Sequence, residues 1–494
     1  MRIALSISVA LISFFFLGSE ASAEARKPNV VYFIIDELGY YELSGMGHPE
    51  HVTPNIDRLM ADGVRFTQCL AGGPVCAPTR CALLTGKHAG HMTVRANGGF
   101  DPLREGEATL GTMFKDAGYS TGGFGKWGNG GRGTSGVPEK HGFDVFFGYY
   151  DQVHAHTFFP KYLVRNSEEV PLAGNTGDTK NGETFSQYVI FDETKKFIRE
   201  NKDKPFFAYC AFTPPHGQWG FPKDDPSWQL FKDKPYKLEG KMLEDARMYA
   251  AMVNLVDREV GETRALLKEL GLENDTIICF SGDNGANKYF PSKDYPDGVF
   301  SPNVDPKAGV KYRGYKGQLY DGGLHVPYAV CWPGHVKPGR VSDHLCYFPD
   351  VMPTLAALAG VTCPSDTDGL SFAPSILGDD ANGVKQAEHE YLYWEHNKDR
   401  AVRAGNWKAI QVGGPEKAWE LYDLAADPSE EKNVAADHAD VLEKLKGYAA
   451  AAHVPVQPGE VYDRGLVEKD RKYKEGMPSP MPKGKKKPPA KAAS

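Results

Sequence analysis

The chain has 494 residues, enough for one large domain and a smaller one rather than a single core. A net charge of −7 and a pI near 6.1 argue against nucleic acid or an anionic membrane as the main partner, so an anionic substrate needs a local basic pocket. The eight cysteines are dispersed and no C-x-x-C or H-E-x-x-H occurs, which disfavours a dense disulfide framework and a zinc centre.

Residues 1–23 combine Arg2, an apolar run from Ile3 to Leu17 and Ala21-Ser22-Ala23, the form of a secretory signal cut before Glu24. The run is too short for a comfortable membrane span, and no cysteine at the cut offers a lipid anchor. The mature protein is therefore expected in the periplasm or outside the cell, where disulfides are permitted.

From Val30 the run Val-Val-Tyr-Phe-Ile-Ile suits a parallel strand buried on both faces, and it ends in Asp36-Glu37. Thr53 is expected to cap a helix that Gly63 stops. Next comes Gly73-Pro74-Val75-Cys76-Ala77-Pro78-Thr79-Arg80, then Leu84-Thr85-Gly86: a tight turn, a short helix and a glycine stop. Cys76 falls near the helix N-terminus with Arg80 one turn on, a place to hold an anion. On this stretch alone Cys76 is also compatible with half a disulfide or a small buried side chain.

Thr109 to Ala117 reads as a helix stopped by Gly118, and Tyr119 to Phe124 as a strand running into Gly125-Lys126-Trp127-Gly128. A glycine-rich bend leads to Phe143–Tyr150 and Gln152-Val153-His154-Ala155-His156. Thr184 to Glu200 reads as a helix, and Pro205 to Phe212 as a strand leading into Pro215-His216. A helix over 244–270 carries Met248, Met252, Leu255 and Val256 on one face and ends at Gly271. The strand Thr276 to Ser281 ends in Gly282-Asp283-Asn284-Gly285, and Lys316-Gly317 precedes a further strand, Val326 to Trp332.

Four apolar strands thus end in Asp36 with Glu37, Lys126, His216, and Asp283 with Asn284. In a parallel sheet these ends share one edge and face one crevice. Beyond about residue 385 the short strands Tyr391–Trp394, Ala401–Arg403, Trp407–Ile410 and Glu420–Asp423 precede a helix over Ala439–Ala452. They indicate a small antiparallel sheet with one helix. The expected organisation is a leader over 1–23, an α/β catalytic domain over 24–385, an α+β unit over 386–475, and a disordered Pro/Lys-rich tail over 476–494.

Asp36, Glu37, Asp283 and Asn284 are oxygen donors suited to a hard cation, calcium before magnesium. Such a cation grips a sulfate or phosphate oxygen as a Lewis acid. Lys126, Lys316 and Arg80 complement anionic charge, and His216 is placed to give a proton to a leaving alcohol.

The C-x-P-T-R…L-T-G signature resembles that of type I sulfatases, and the resemblance extends over Pro28 to Val434. It includes the acid pair after the first strand, Gly125-Lys126-Trp127, Pro215-His216, Gly282-Asp283-Asn284-Gly285, Lys316-Gly317, Gly322-Gly323 and Glu420-Leu421-Tyr422-Asp423. It implies an alkaline-phosphatase-like fold, a mostly parallel sheet sandwiched by helices, with a small C-terminal α+β domain. It further implies that Cys76 is oxidised to formylglycine by a formylglycine-generating or anaerobic sulfatase-maturating enzyme. The hydrated aldehyde is then nucleophile and metal ligand beside Asp36, Glu37, Asp283 and Asn284. Arg80 steadies the hydrate, Lys126 and Lys316 bind sulfate, and His216 is general acid or sulfate ligand.

Three positions depart from the family pattern: Glu37 for a second Asp, Gly128 for a His assigned to the hydrate, and His325 for an Arg. The later Gln-x-x-Ala-His resembles one bacterial branch, and His156, before His154, is the expected source of the missing imidazole. The expected activity is hydrolysis of a sulfate ester on a small molecule or glycan, with Trp219 and Tyr289 either near the pocket mouth or in the core. The alternatives are a phosphomonoester or phosphonate hydrolase on the same scaffold, and a non-catalytic binder of sulfated glycans.

Overall fold

A computed structural model describes residues 26–378 and 383–471; the leader and the Pro/Lys-rich tail lie outside the described residues. The centre is a ten-stranded sheet. Its core is four adjacent parallel strands, β1 (Asn29–Ile35), β2 (Ser120–Lys126), β3 (Phe206–Phe212) and β4 (Thr276–Gly282), in the spatial order β4-β1-β3-β2. Val31 pairs in register with Ala208 on one side and Ile278 on the other. Tyr328–Cys331 runs antiparallel beside β4, and Val145–Tyr149 runs parallel beside β2.

Alternation along β1 explains why its apolar run is unbroken. Val31, Phe33 and Ile35 enter one core, with Ile190, Phe191, Met252 and Val256 from the helices Ser186–Glu200 and Gly240–Glu269. Val30, Tyr32 and Ile34 enter the other, with Ala82, Leu83 and Leu355. Both faces are covered, so every residue of the strand is buried. Truncating Phe33 to Ala would cost about 3–5 kcal/mol.

The second unit is the expected antiparallel sheet, Leu392–His396, Asp399–Ala404, Trp407–Gln411 and Trp419–Asp423, packed on the helix Ala439–Ala452. Trp394 donates its indole N–H to the Ala71 carbonyl at 2.8 Å. Lys408, fully buried, bridges Asp321 at 2.6 Å and Glu430 at 2.9 Å. After Ala452 the chain returns to the first domain, where Val454 N donates to Gly90 O and Arg132 pairs with Asp470 at 2.5 Å.

Two local expectations are corrected. The helix after Thr53 spans Pro54–Ala61, but the Thr53 hydroxyl donates to Asp57 rather than capping the helix. Gly63 lies beyond the helix end, and its lack of a side chain serves a close approach: a Cβ there would stand 2.1 Å from the Val330 carbonyl oxygen. All eight cysteines are free thiols, so none, Cys76 included, is half of a disulfide.

Candidate active site

The Cys76 helix, α1 (Cys76–Thr85), is buried over its whole length and ends at Gly86 with φ +68°. Cys76 is its first residue, after an extended Val75. Two contacts fix this start against the sheet edge. Ala77 N donates to Asn97 Oδ1 at 2.9 Å, and Thr79 Oγ1 donates to the Asp283 carbonyl at 2.7 Å. Gly317 N donates to Pro74 O at 2.8 Å and so holds the Lys316 loop over the same helix end.

The expected residues converge. Cys76 Sγ donates to Asp36 Oδ1 at 3.2 Å, and Lys316 Nζ lies 3.4 Å from that sulfur. Lys126 Nζ donates to Asp36 Oδ2 at 2.6 Å, while Arg80 reaches Asp283 Oδ2 at 3.0 Å and the Lys126 carbonyl at 3.1 Å. Glu37 is bound by His216 Nε2 at 2.8 Å, by Lys316 and by the Tyr289 hydroxyl. Its own N–H donates to Asp283 Oδ1 at 3.0 Å, and its φ of +63° is strained for a non-glycine residue, a conformation that concentrates at functional sites.

His156 joins the cluster. Its Nε2 lies 3.5 Å from Lys126 Nζ, and its ring stacks on His216 at 4.0 Å. His154 instead packs in the interior against Tyr149 and Tyr162. His325 is also outside the cluster, stacked on Tyr312 at 4.4 Å with Nε2 on the Thr67 carbonyl. Gly128, at φ +78°, is placed two residues past Lys126.

Electrostatics assigns protonation states. Burial disfavours a charged Asp36, yet Lys126, His216, Arg80 and Lys316 together hold its carboxyl well below the usual range. Burial and then the Asp36 charge push Asp283 up to about 7, as expected when carboxylates crowd one site. His216 Nδ1 faces the Gly217 carbonyl at 2.5 Å; a carbonyl only accepts, so Nδ1 carries a proton and Nε2 is the nitrogen that faces Glu37 at 2.8 Å. Burial opposes a charged imidazole, but Glu37 and Asp36 raise His216 above its ordinary value. Burial and Asp36 push the Cys76 thiol well up, so the site does not favour a nucleophilic thiolate.

Asp36, Glu37, Cys76 and His216 offer atoms all within 4.8 Å of one another, a cluster able to hold a metal ion. The Asn284 Oδ1 is buried without a hydrogen-bond partner among the described residues, while its Nδ2 donates to Gly285 O at 3.0 Å. An orphaned amide oxygen on the residue after Asp283 suits a hard cation, although Asp283 and Asn284 are not among the four residues of that cluster. A second cluster, His88, His91 and Asp368, is differently arranged. Gly90 N donates to His88 Nδ1, which leaves the His88 proton on Nε2, 3.8 Å from Asp368 Oδ2, while His91 Nδ1 lies 2.8 Å from Asp368 Oδ1.

Trp219 and Tyr289 meet edge to face at 4.9 Å, both half-buried, and the Tyr289 hydroxyl reaches Glu37. Tyr289 therefore touches the site, and both rings also pack against the apolar core. Asn97 and the bond from Tyr289 to Glu37 have no signal in the sequence, since neither residue stands in a motif spaced with the acids.

The sulfatase family model matches residues 28–361, and a model described as N-sulphoglucosamine sulphohydrolase, C-terminal, matches 314–451. The chain belongs to the sulfatase family. This sulfatase is 30% identical to human arylsulfatase A over 477 residues, covering 86% of the chain and 87% of that protein. It is 29% identical to mouse N-acetylgalactosamine-6-sulfatase over 471 residues, covering 90% and 83%. Its fold matches Ps i-CgsB, solved in complex with a k-i-k-neocarrahexaose, with a TM-score of 0.70, 25% identity and coverage of 92% and 98%. The sulfatase is a sulfuric ester hydrolase with an alkaline-phosphatase-like fold. No helix among the described residues is long and apolar enough to cross a membrane.

Proposed function

We propose that this sulfatase removes sulfate from a carbohydrate, with Cys76 converted to formylglycine and calcium held by Asp36, Glu37, Asp283, Asn284 and residue 76. The observation that carries the reading is residue 76 at a helix start, with its sulfur 3.2 Å from Asp36 and 3.4 Å from Lys316. Burial and Asp36 keep that sulfur a thiol, which favours a modified residue as the nucleophile. The hydrated aldehyde supplies one hydroxyl to attack sulfur and a second whose deprotonation releases sulfate. Calcium supplies Lewis acidity at a sulfate oxygen.

The remaining chemistry lies with the chain. Lys126 and Lys316 hold the sulfate oxygens, and Arg80 fixes the hydrate against Asp283. His216, whose protonated form Glu37 and Asp36 favour, gives its Nε2 proton to the departing alcohol oxygen. His156 takes the proton from the second hydroxyl. Export by residues 1–23 to the periplasm or beyond accords with a polymeric substrate. The glycan class is supported by the relatives, one named N-acetylgalactosamine-6-sulfatase and one solved in complex with k-i-k-neocarrahexaose.

The test is peptide mass analysis around residue 76, combined with turnover of aryl sulfate, aryl phosphate and a panel of sulfated sugars in calcium. The reading expects an aldehyde at residue 76 and sulfate release well above phosphate release. An unmodified thiol in an active enzyme, or faster phosphate release, overturns it.

A further inference from the structure

The polar groups of one side chain near the cluster are unaccounted for. Gln152 is 3% exposed, and both its amide oxygen and its amide nitrogen are buried without a hydrogen-bond partner among the described residues. An unpaired amide inside a protein is destabilising, so its retention calls for a reason other than packing.

Its position supplies the reason. Lys126 and Tyr149 are paired in neighbouring parallel strands, and the pairing continues past their ends, with Trp127 N donating to Tyr149 O and Gly128 N to Tyr150 O. Gly128 and Gln152 therefore emerge side by side at the sheet edge that carries the site. A Cβ on Gly128 would lie 2.1 Å from Gln152 Nε2. The amide stands in the space that a side chain at position 128 would occupy.

The surroundings link it to residue 76. Four residues on, His156 approaches Lys126 Nζ, which binds Asp36. On the other side, Asp151 Oδ2 would lie 3.2 Å from a Cβ on Gly99, and that same segment provides Asn97, the acceptor for Ala77 N at the start of the Cys76 helix. The next residue after Gly128, Asn129, also has a buried amide oxygen without a partner.

We infer that Gln152 is a positioning residue, its amide lodged beside Gly128 to hold a hydroxyl of the hydrated aldehyde at residue 76; this rests on the formylglycine reading above. A carboxamide is suited to that task because it donates and accepts at once, as a hydroxyl does, and adds no charge among the carboxylates. It cannot take a proton at working pH, so it orients the hydroxyl and leaves proton transfer to His156.

The decisive variant is Gln152→Met, which keeps the side-chain length and removes the unpaired amide, so the fold is retained or stabilised. Peptide mass analysis first establishes the aldehyde in both proteins. The expected result is a fall in kcat of about tenfold to a hundredfold with KM changed less than about twofold. Faster labelling of the aldehyde by a hydrazide probe is also expected, because the hydrate loses a hydrogen-bond partner. Aldehyde present in both, with equal kcat and equal labelling, makes Gln152 a space-filler and overturns this inference alone. An active parent enzyme without the aldehyde overturns the formylglycine reading and this one together.

Discussion

Arg80 Nη2 lies 3.0 Å from Asp283 Oδ2, and neither side chain is exposed at all. The guanidinium also sits 3.8 Å from Asp36, so it balances two acids that the sheet places side by side. Removing one partner of a buried pair leaves an uncompensated charge. In chelator, Arg80→Ala should lower stability to urea by about 3–5 kcal/mol, and added calcium should restore part of the loss. A loss below about 1 kcal/mol, the scale of an exposed pair, would contradict the balance described.

Calcium itself should stabilise the unaltered protein. At a hundred times its dissociation constant, a cation bound only by the folded state contributes about 2.7 kcal/mol. Thermal unfolding with calcium and with chelator measures the shift. Asn284→Ala should shrink it, because it removes the buried oxygen that has no other partner; an equal shift in that variant would place the ion elsewhere.

His156→Ala should reduce kcat by about 10²–10⁴-fold, the range for loss of a proton-transfer group. The ring stacks on His216 and approaches Lys126, so a change confined to KM would instead mark it as a substrate contact. Unchanged turnover would retire His156 as the imidazole standing in at this site.

The Lys408 bridge should make domain docking pH-dependent. Burial opposes a charged Asp321, but Lys408 and Arg403 hold it down at about 2, so its contribution is full above 3.8 and fades as pH falls toward 2. Burial raises Glu430 from 4.5 to about 7 against the pull of Lys408, so its contribution is full below 4.5 and is lost as pH rises through 7. The linkage is therefore strongest between 3.8 and 4.5. Glu430→Gln should flatten the decline near pH 7 in thermal unfolding, and an unchanged slope would show that other groups set it.

The parallel core was legible because β1, β3 and β4 are apolar on both faces, a pattern that leaves little alternative to a covered strand. Their polar ends were legible for the same reason, since Asp36, His216 and Asp283 each interrupt or follow such a run. The return of the chain after Ala452 was not. It is held by Arg132 with Asp470 and by backbone contacts such as Gly459 N to Pro102 O, which leave no apolar period to read. Thr53 has the composition of a cap, yet Ser44 and Asp57 engage its hydroxyl, so tertiary partners override the local preference. Gln152 was visible as part of a motif, but only the positions of both backbones bring its amide against Gly128.

None of the eight cysteines is bridged, and all but Cys363 are buried. Cys69 and Cys346 are paired across neighbouring strands, yet both remain free thiols. An alkylating reagent applied to the native protein should mark Cys363 first. On the unfolded chain it should count eight thiols before maturation and one fewer after, a direct tally of how completely residue 76 has been rewritten.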